Sequence, residues 1–155
     1  MFLKLGDIKG ESIDAKHKDE IDVINYYWEM SQSGSMHSGS GGGSGKVSVG
    51  DIVITKFLDR STPNLQLFCC NGKHIKEAVL TLRKAGENPL EYYKITMKDV
   101  LISYVSTAGS MGDRLIETVT LNFAEYSSEY IPQQKDGTGG ASVLVGWNIA
   151  KNMTA

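Results

Sequence analysis

Three histidines, two adjacent cysteines and a lysine behind a glycine run are the residues of this chain whose types could carry chemistry. His17, His37 and His74 lack the spacing a metal would need: none has a second His, Cys or carboxylate one helical turn away, as a zinc protease does. Cys69 and Cys70 are neighbours, so they have neither the C-x-x-C spacing of redox and zinc sites nor the geometry for an ordinary mutual disulfide. They read as small apolar residues kept reduced. Gly45-Lys46 follows a glycine-rich run, but a phosphate-binding loop needs Gly where Ser40 stands and Ser or Thr where Val47 stands. There is no Gly-x-Ser-x-Gly nucleophile turn. The carboxylates Asp99, Glu117 and Glu125 are scattered, and only the fold can bring any two together. Neither a catalytic site nor a metal nor a cofactor is expected, and the function is sought in assembly.

The bulk properties narrow the class further. At 155 residues the chain fits one domain, able to bury roughly two-thirds of its unfolded surface without staples. With 41% apolar and 22% charged residues it reads as globular. A net charge of −2 with no basic block argues against nucleic acid, whose phosphates need a cationic face. No apolar run is long enough to span a membrane as a helix, and no N-terminal signal peptide is visible. Synthesis in the cytoplasm is expected, with any export by a route that does not read such a signal. On that ground Asn152-Met153-Thr154 is taken as a chance match to the glycosylation pattern.

The elements that must position any site are mostly strands, because period-two alternation dominates. Strands are expected at 2–5, 21–31, 46–58 with a break near Gly50-Asp51, 74–84, 91–105 with a phase shift near Asp99-Val100, 115–130 and 143–149. In the second of these Ile24, Tyr26, Trp28 and Met30 fall on one apolar face, expected inward. Asn25, Tyr27, Glu29 and Ser31 fall on the other, expected to meet water or a polar cavity. One helix is legible: Ser61 or Thr62 caps it, Pro63 suits its first turn, and Asn71-Gly72 ends it. Leu65, Phe68 and Cys69 share a stripe that Leu67 and Cys70 widen, so the helix must plug a sheet or barrel. The expected core includes Tyr26, Trp28, Leu65, Phe68, Leu80, Leu82, Leu121, Phe123 and Trp147. The fold class is mainly β: a small β-barrel, closed or nearly so, of two packed antiparallel sheets with one flanking α-helix. Its strands are long, and long edges must be covered or paired, for which symmetric copies of the same chain suffice.

Between two strongly patterned β segments, residues 34–45 are Gly or Ser at every position but Met36 and His37. Such a stretch buries no apolar surface, and a loop of that length inside a domain usually has a role outside it. We read Ser35, Met36, His37, Ser38, Gly39, Ser40, Gly41, Gly42, Gly43, Ser44, Gly45 and Lys46 as an arm that becomes ordered against another copy of the chain.

Taken in order, Gly10-Glu11-Ser12, Glu20-Ile21-Asp22-Val23, Ser31-Gln32-Ser33-Gly34-Ser35-Met36-His37, Gly45-Lys46-Val47, Thr62-Pro63-Asn64-Leu65, Gly72-Lys73-His74-Ile75-Lys76, Leu80-Thr81-Leu82-Arg83-Lys84-Ala85-Gly86, Val119-Thr120-Leu121-Asn122-Phe123 and Gly146-Trp147 resemble the Hcp family, the hemolysin-coregulated proteins of type VI secretion. The resemblance runs through nearly the whole chain and includes the glycine-rich arm. It implies a phage tail-tube-like barrel assembled as a homo-hexameric ring. The rings stack into a tube inside a contractile sheath, capped by a VgrG-type spike, and effector proteins ride within. It also implies export to the extracellular space without a signal peptide. One departure concerns cargo: the family often has a small residue between two tryptophans, where this chain has Tyr26-Tyr27-Trp28 and then Glu29. Asn25, Tyr27, Glu29 and Ser31 are therefore the candidate lumen or effector face. A monomeric ligand-binding barrel, marked by a single-chain mass and a large apolar cavity, and a phage-like tail-tube protein are the alternatives.

Overall fold

The strands form where apolar residues recur every second position, and the longest bends where that period slips. The computed structural model describes residues 1–34, 45–86, 89–109 and 114–155. Among them, in chain order, are β1 (Phe2–Leu5), β2 (Ile21–Asp22), β3 (Asn25–Tyr27), β4 (Met30–Ser31), β5 (Ser48–Val49), β6 (Ile52–Phe57), α1 (Thr62–Asn71), β7 (Ile75–Arg83), β8 (Glu91–Ala108), β9 (Ile116–Asn122), β10 (Glu125–Tyr130), β11 (Val143–Asn148) and β12 (Met153–Thr154). All ladders are antiparallel.

Two sheets share β8. The larger runs β12-β11-β10-β8-β7-β1-β2, and the smaller runs β3-β6-β9-β8. Strand β8 can serve both because it bends at Asp99, which sits at φ +52°, so burial steps from Met97 to Val100 rather than alternating. Its first half pairs with β7 and β10, its second half with β9. The phase shift expected at Asp99-Val100 is this corner.

The opposite corner is made by residues 21–27 and differs from the single long strand expected there. Val23 N–H donates to the Met1 carbonyl in the larger sheet at 2.9 Å, and Ile24 N–H donates to Thr55 in the smaller one at 2.8 Å. The alternation slips by one residue as the chain changes sheets. Ile21 and Val23 are buried, Ile24 is exposed, and Tyr26 and Trp28 are half-buried. Ile24 and Met30 are thus not core residues: the first lies at the switch, and the second lies in the separate ribbon β4-β5. No ladder joins β2 to β3 among the described residues, so the barrel is not closed.

Between the sheets lie Leu3, Leu5, Ile21, Ile52, Ile54, Leu80, Leu82, Ile95, Met97, Ile102, Val119, Leu121 and Phe123. Tyr26, Trp28, Phe68 and Trp147 are partly buried and pack against this core. Trp28 meets Tyr126 edge-on at a centroid distance of 4.8 Å and donates from Nε1 to the Gly50 carbonyl at 3.0 Å. Helix α1 seats Leu65 fully, Phe68 and Cys69 partly, and leaves Leu67 and Cys70 exposed, so its apolar stripe is narrower than expected. Gly72 ends it at φ +63°, a left-handed position that glycine adopts without a Cβ clash. Ser61 makes no side-chain cap bond; the Asp59 carboxylate accepts from Ser61 N–H at 2.9 Å instead. No helix among the described residues is long and apolar enough to cross a membrane.

Candidate assembly interface

Each strand of the smaller sheet buries one face and presents the other. Ile52, Ile54, Val119 and Leu121 point inward, so their neighbours must point out. The register sets those neighbours in two cross-strand rows: Asn25, Thr55, Thr118 and Ser106, then Tyr27, Val53, Thr120 and Tyr104. The result is a hydroxyl- and amide-rich surface with two tyrosines. Tyr27 Oη donates to the Glu29 carboxylate, and this bond, with Glu29's charge, holds the phenol above its ordinary pKa. At the same end Asp51 accepts from Ser103 Oγ at 3.0 Å and Asn122 Nδ2 at 2.7 Å. The structure thus brings Asn25, Tyr27 and Glu29 together. Ser31 is exposed but belongs to β4, paired with Ser48 in the separate ribbon.

This sheet has two open edges. Strand β3 pairs only with β6, and the second half of β8, from Ile102 on, pairs only with β9, among the described residues. Unpaired strand edges are templates for another chain.

The larger sheet carries a second unfinished surface. Tyr130 lies opposite Val143, and Ser128 opposite Val145, on the face that continues inward to Tyr126 and Trp147. The smaller sheet does not reach this wing, so Val143 is 67% exposed, and Tyr130 and Val145 are also open. Leu144, on the other face, is equally exposed. Exposed apolar side chains gathered on one face make this wing a candidate contact surface.

Of the arm, Ser35, Met36, His37, Ser38, Gly39, Ser40, Gly41, Gly42, Gly43 and Ser44 lie outside the described residues. Gly45 and Lys46 are exposed at its base.

Among the described groups that could do chemistry, His17, Asp14 and the Lys56–Glu117 pair are engaged in contacts that hold the fold. Both ring nitrogens of His17 face carboxylates, Nδ1 at 2.8 Å from Glu20 and Nε2 at 3.3 Å from Glu91, and the ring stacks on Phe2 at 4.2 Å. Arg83 pairs with Asp14 in the same loop, holding the Asp14 carboxyl well below the usual carboxylate range, chiefly through their hydrogen bonds. His74 is exposed beside Lys73 in a surface groove of about 550 Å³. Asp99, Glu117 and Glu125 do not converge. Asp99 is at the β8 bend, and Glu125 is held below its ordinary value by hydrogen bonds from Lys98 and then Asn148. Glu117 is 0% exposed and lies 2.7 Å from Lys56 Nζ, itself 0% exposed. Lys56 also reaches Asp59 and the Phe57 carbonyl, each at 2.9 Å, and Thr62 Oγ1 donates to Glu117 at 3.0 Å. This network ties β6 and β9 to the start of α1. Among the described residues no group of three or more His, Cys, Asp or Glu is placed to hold a metal ion.

Comparison with known proteins decides the family. The model of the family described as "Type VI secretion system effector, Hcp" matches residues 2–130. The chain belongs to the Hcp family. It is 58% identical over 158 residues to Protein hcp1 of Pseudomonas aeruginosa strain PAO1, covering 100% of this chain and 98% of that one. The crystal structure of Hcp1 from Salmonella typhimurium superposes with a TM-score of 0.84 at 40% identity, covering 99% of this chain and 97% of that chain. A structure described as that of a type six secretion system protein superposes at 0.95 with 26% identity, covering 99% and 98%. This Hcp chain therefore has the family's two-sheet fold with its single helix. The sequence did not point to the Tyr130–Val145 wing, the His17 clamp or the Lys56–Glu117 pair. For the pair a signal existed: Lys56 and Glu117 each occupy a buried-phase position of an alternating strand.

Proposed function

We propose that this chain is a structural subunit of the type VI secretion tube, with no catalytic role: six copies close a ring, rings stack into a phage tail-tube-like tube, and effectors travel inside it. The observation that carries this reading is the pair of open edges on a four-stranded sheet. Strand β3 of one copy meeting the second half of β8 of the next is a head-to-tail contact, and such contacts close into a ring when the rotation between copies divides a full turn. The wing bearing Tyr130, Val143 and Val145 supplies apolar area for the same or an adjacent contact.

In that ring the polar rows of the smaller sheet line the lumen, with Asn25, Tyr27 and Glu29 among them. A surface of hydroxyls and amides hydrates well and slides past cargo; six Tyr27–Glu29 pairs make it more aromatic and acidic, which shifts the cargo it favours. The arm, ending at Gly45 and Lys46, reaches an adjacent ring or subunit. Its glycines permit close approach to another backbone, and the entropy of ordering it keeps stacking weak until other contacts are added. The partners are further copies of the chain, the contractile sheath, a VgrG-type spike and effectors. Subunits are made in the cytoplasm and leave the cell when the sheath contracts. The monomeric ligand-binding alternative gains no support from the interior, which is filled by side chains between the sheets.

Deleting Ser38 to Ser44 tests the arm. Rings without tubes, seen by negative-stain microscopy, are the expected outcome; tubes of normal length formed by the deletion variant contradict the arm's role.

A further inference from the structure

The larger sheet has a face turned away from the smaller one. Along β1 and β7 the residues Leu3, Leu5, Ala78 and Leu80 point into the core, so Lys4 and its register partner Val79 point out. A groove of about 550 Å³ lies between this face and α1. Val79 lines it from the sheet and Phe68 from the helix, and the buried Ile8 and Ile75 line it as well. A second depression of about 210 Å³ continues it, sharing Lys4, Gly6 and Ile8.

Cations gather along this groove. Lys4, Lys73 and Lys76 line its main part, Lys9 and Lys18 its continuation, and all five are exposed. None of them is in an ion pair among the described residues. Of the carboxylates on the same lining, Asp19 is bound to Arg60 and Glu20 to His17. Glu77 stands across from Lys98 in the β7–β8 ladder, which leaves Asp7 at the turn after β1. The excess of lysine is local, because the whole chain has a net charge of −2. A cation just past the end of α1 suits the helix dipole, which accounts for Lys73. It does not account for Lys4, Lys9, Lys18 or Lys76, which stand at no helix end.

The walls decide what kind of anion fits. Phosphates of a nucleic acid or a lipid surface would meet the lysines at the rim and make no use of an apolar recess. A protein segment uses both, with an apolar side chain in the recess and carboxylates at the rim. Lys73 joins the two features, since its ammonium lies 4.6 Å over the Phe68 ring. A carboxylate meeting it there is held beside an apolar wall, partly out of water, where the attraction is stronger than in bulk solvent. The groove also stays accessible. The open edges belong to the smaller sheet, and the wing at Tyr130 and Val145 lies on β10 and β11, beyond β8 from β7 and β1.

We infer that the groove between α1 and the outer face of β1 and β7 is a docking surface for an acidic segment of another protein. The segment sets a large apolar side chain against Phe68 and Val79 and its carboxylates beside Lys4, Lys73 and Lys76. This rests on the tube reading in one respect: with the smaller sheet lining the lumen, the groove lies on the outside of the ring, open to a partner while the ring is intact.

The test uses the purified full chain in its assembled form. The probe is a fluorescent amphipathic helical peptide with a Leu stripe flanked by Glu, followed by anisotropy. Saturable binding is expected, weakened at least about tenfold by Lys73→Glu with Lys76→Glu. A probe with Ser for each Leu binds at least about fivefold more weakly. Lys135→Glu with Lys151→Glu, outside the groove, leaves the affinity unchanged. Carbodiimide coupling of the bound probe, mapped by mass spectrometry, joins its carboxylates to Lys4, Lys73 or Lys76. Absent binding, equal binding of the Ser probe, or coupling spread over all exposed lysines overturns the groove. So does equal affinity, with the same loss in the variant, for phosphatidylserine vesicles or single-stranded DNA. Light scattering on the same samples keeps the two readings apart. A charge-reversed variant that no longer forms rings makes the groove a contact between copies and overturns the docking proposal. A single-chain mass for the unaltered protein overturns the ring, while the peptide result still decides the groove.

Discussion

Removing Lys56 is the sharpest perturbation of the monomer. The ammonium is fully buried and pairs with Glu117 at 2.7 Å and Asp59 at 2.9 Å, at the point where β6, β9 and α1 meet. Lys56→Met keeps most of the volume but leaves the fully buried Glu117 carboxylate without its counter-ion. Breaking one side of a buried pair costs about 3–5 kcal/mol. Set against a total of roughly 5–15 kcal/mol for a domain, that is about a fifth of the stability or more. Replacing both members with apolar residues, Lys56→Met with Glu117→Leu, removes the stranded Glu117 charge and regains part of the loss, since a buried pair against well-packed apolar residues is often neutral, while Asp59 still lacks its partner. The expected coupling between the two sites is at least about 2 kcal/mol. Urea unfolding of the dissociated chain at fixed low concentration measures it, because assembly adds stability by mass action. A Lys56→Met loss below about 1 kcal/mol, or a double variant as unstable as the sum of the singles, refutes the reasoning.

Trp28→Ala removes the centre of the Trp28, Phe123 and Tyr126 aromatic cluster and, because Trp28 is half-buried, costs about 2–3 kcal/mol in the same unfolding assay, less than the cost of about 3–5 kcal/mol for a fully buried aromatic. Tyr27→Ser leaves unfolding unchanged and alters effector retention by the ring, measured by co-purification; unchanged retention removes Tyr27 from the cargo face. Acid weakens the chain through Asp14: its carboxyl titrates lower folded than unfolded, so its contribution is present above the unfolded carboxylate pKa and drains as pH falls below about 4. Asp14→Asn flattens the acid limb of a stability-against-pH curve, and an unaltered limb contradicts the assignment.

What the sequence made legible follows the range of each interaction. Helix α1, its glycine stop and the bend of β8 depend on neighbouring residues, and all three could be read from local pattern. The corner at Val23–Ile24 could not: it depends on which carbonyl each N–H finds, Met1 in one sheet and Thr55 in the other. The alternating stretch from Ile21 to Ser31 therefore looked like one strand and is three. The open barrel has the same cause. A period of two puts Asn25, Tyr27 and Glu29 in one phase, and Tyr27 and Glu29 do meet, whereas Ser31 belongs to the β4-β5 ribbon. Lys56 opposite Glu117 was visible only as two charges in apolar phase; their pairing needed the register. The wing at Tyr130, Val143 and Val145 shows alternation in sequence, but its exposure is set by how far the other sheet extends.

The central claim is that the working unit is a closed ring of identical chains. Light scattering on the purified full chain, with negative-stain images of the same sample, tests it most directly. The account predicts six times 16.9 kDa, about 101 kDa, and hollow particles with six-fold symmetry. A single-chain mass that persists at high concentration, with no hollow particles, contradicts it.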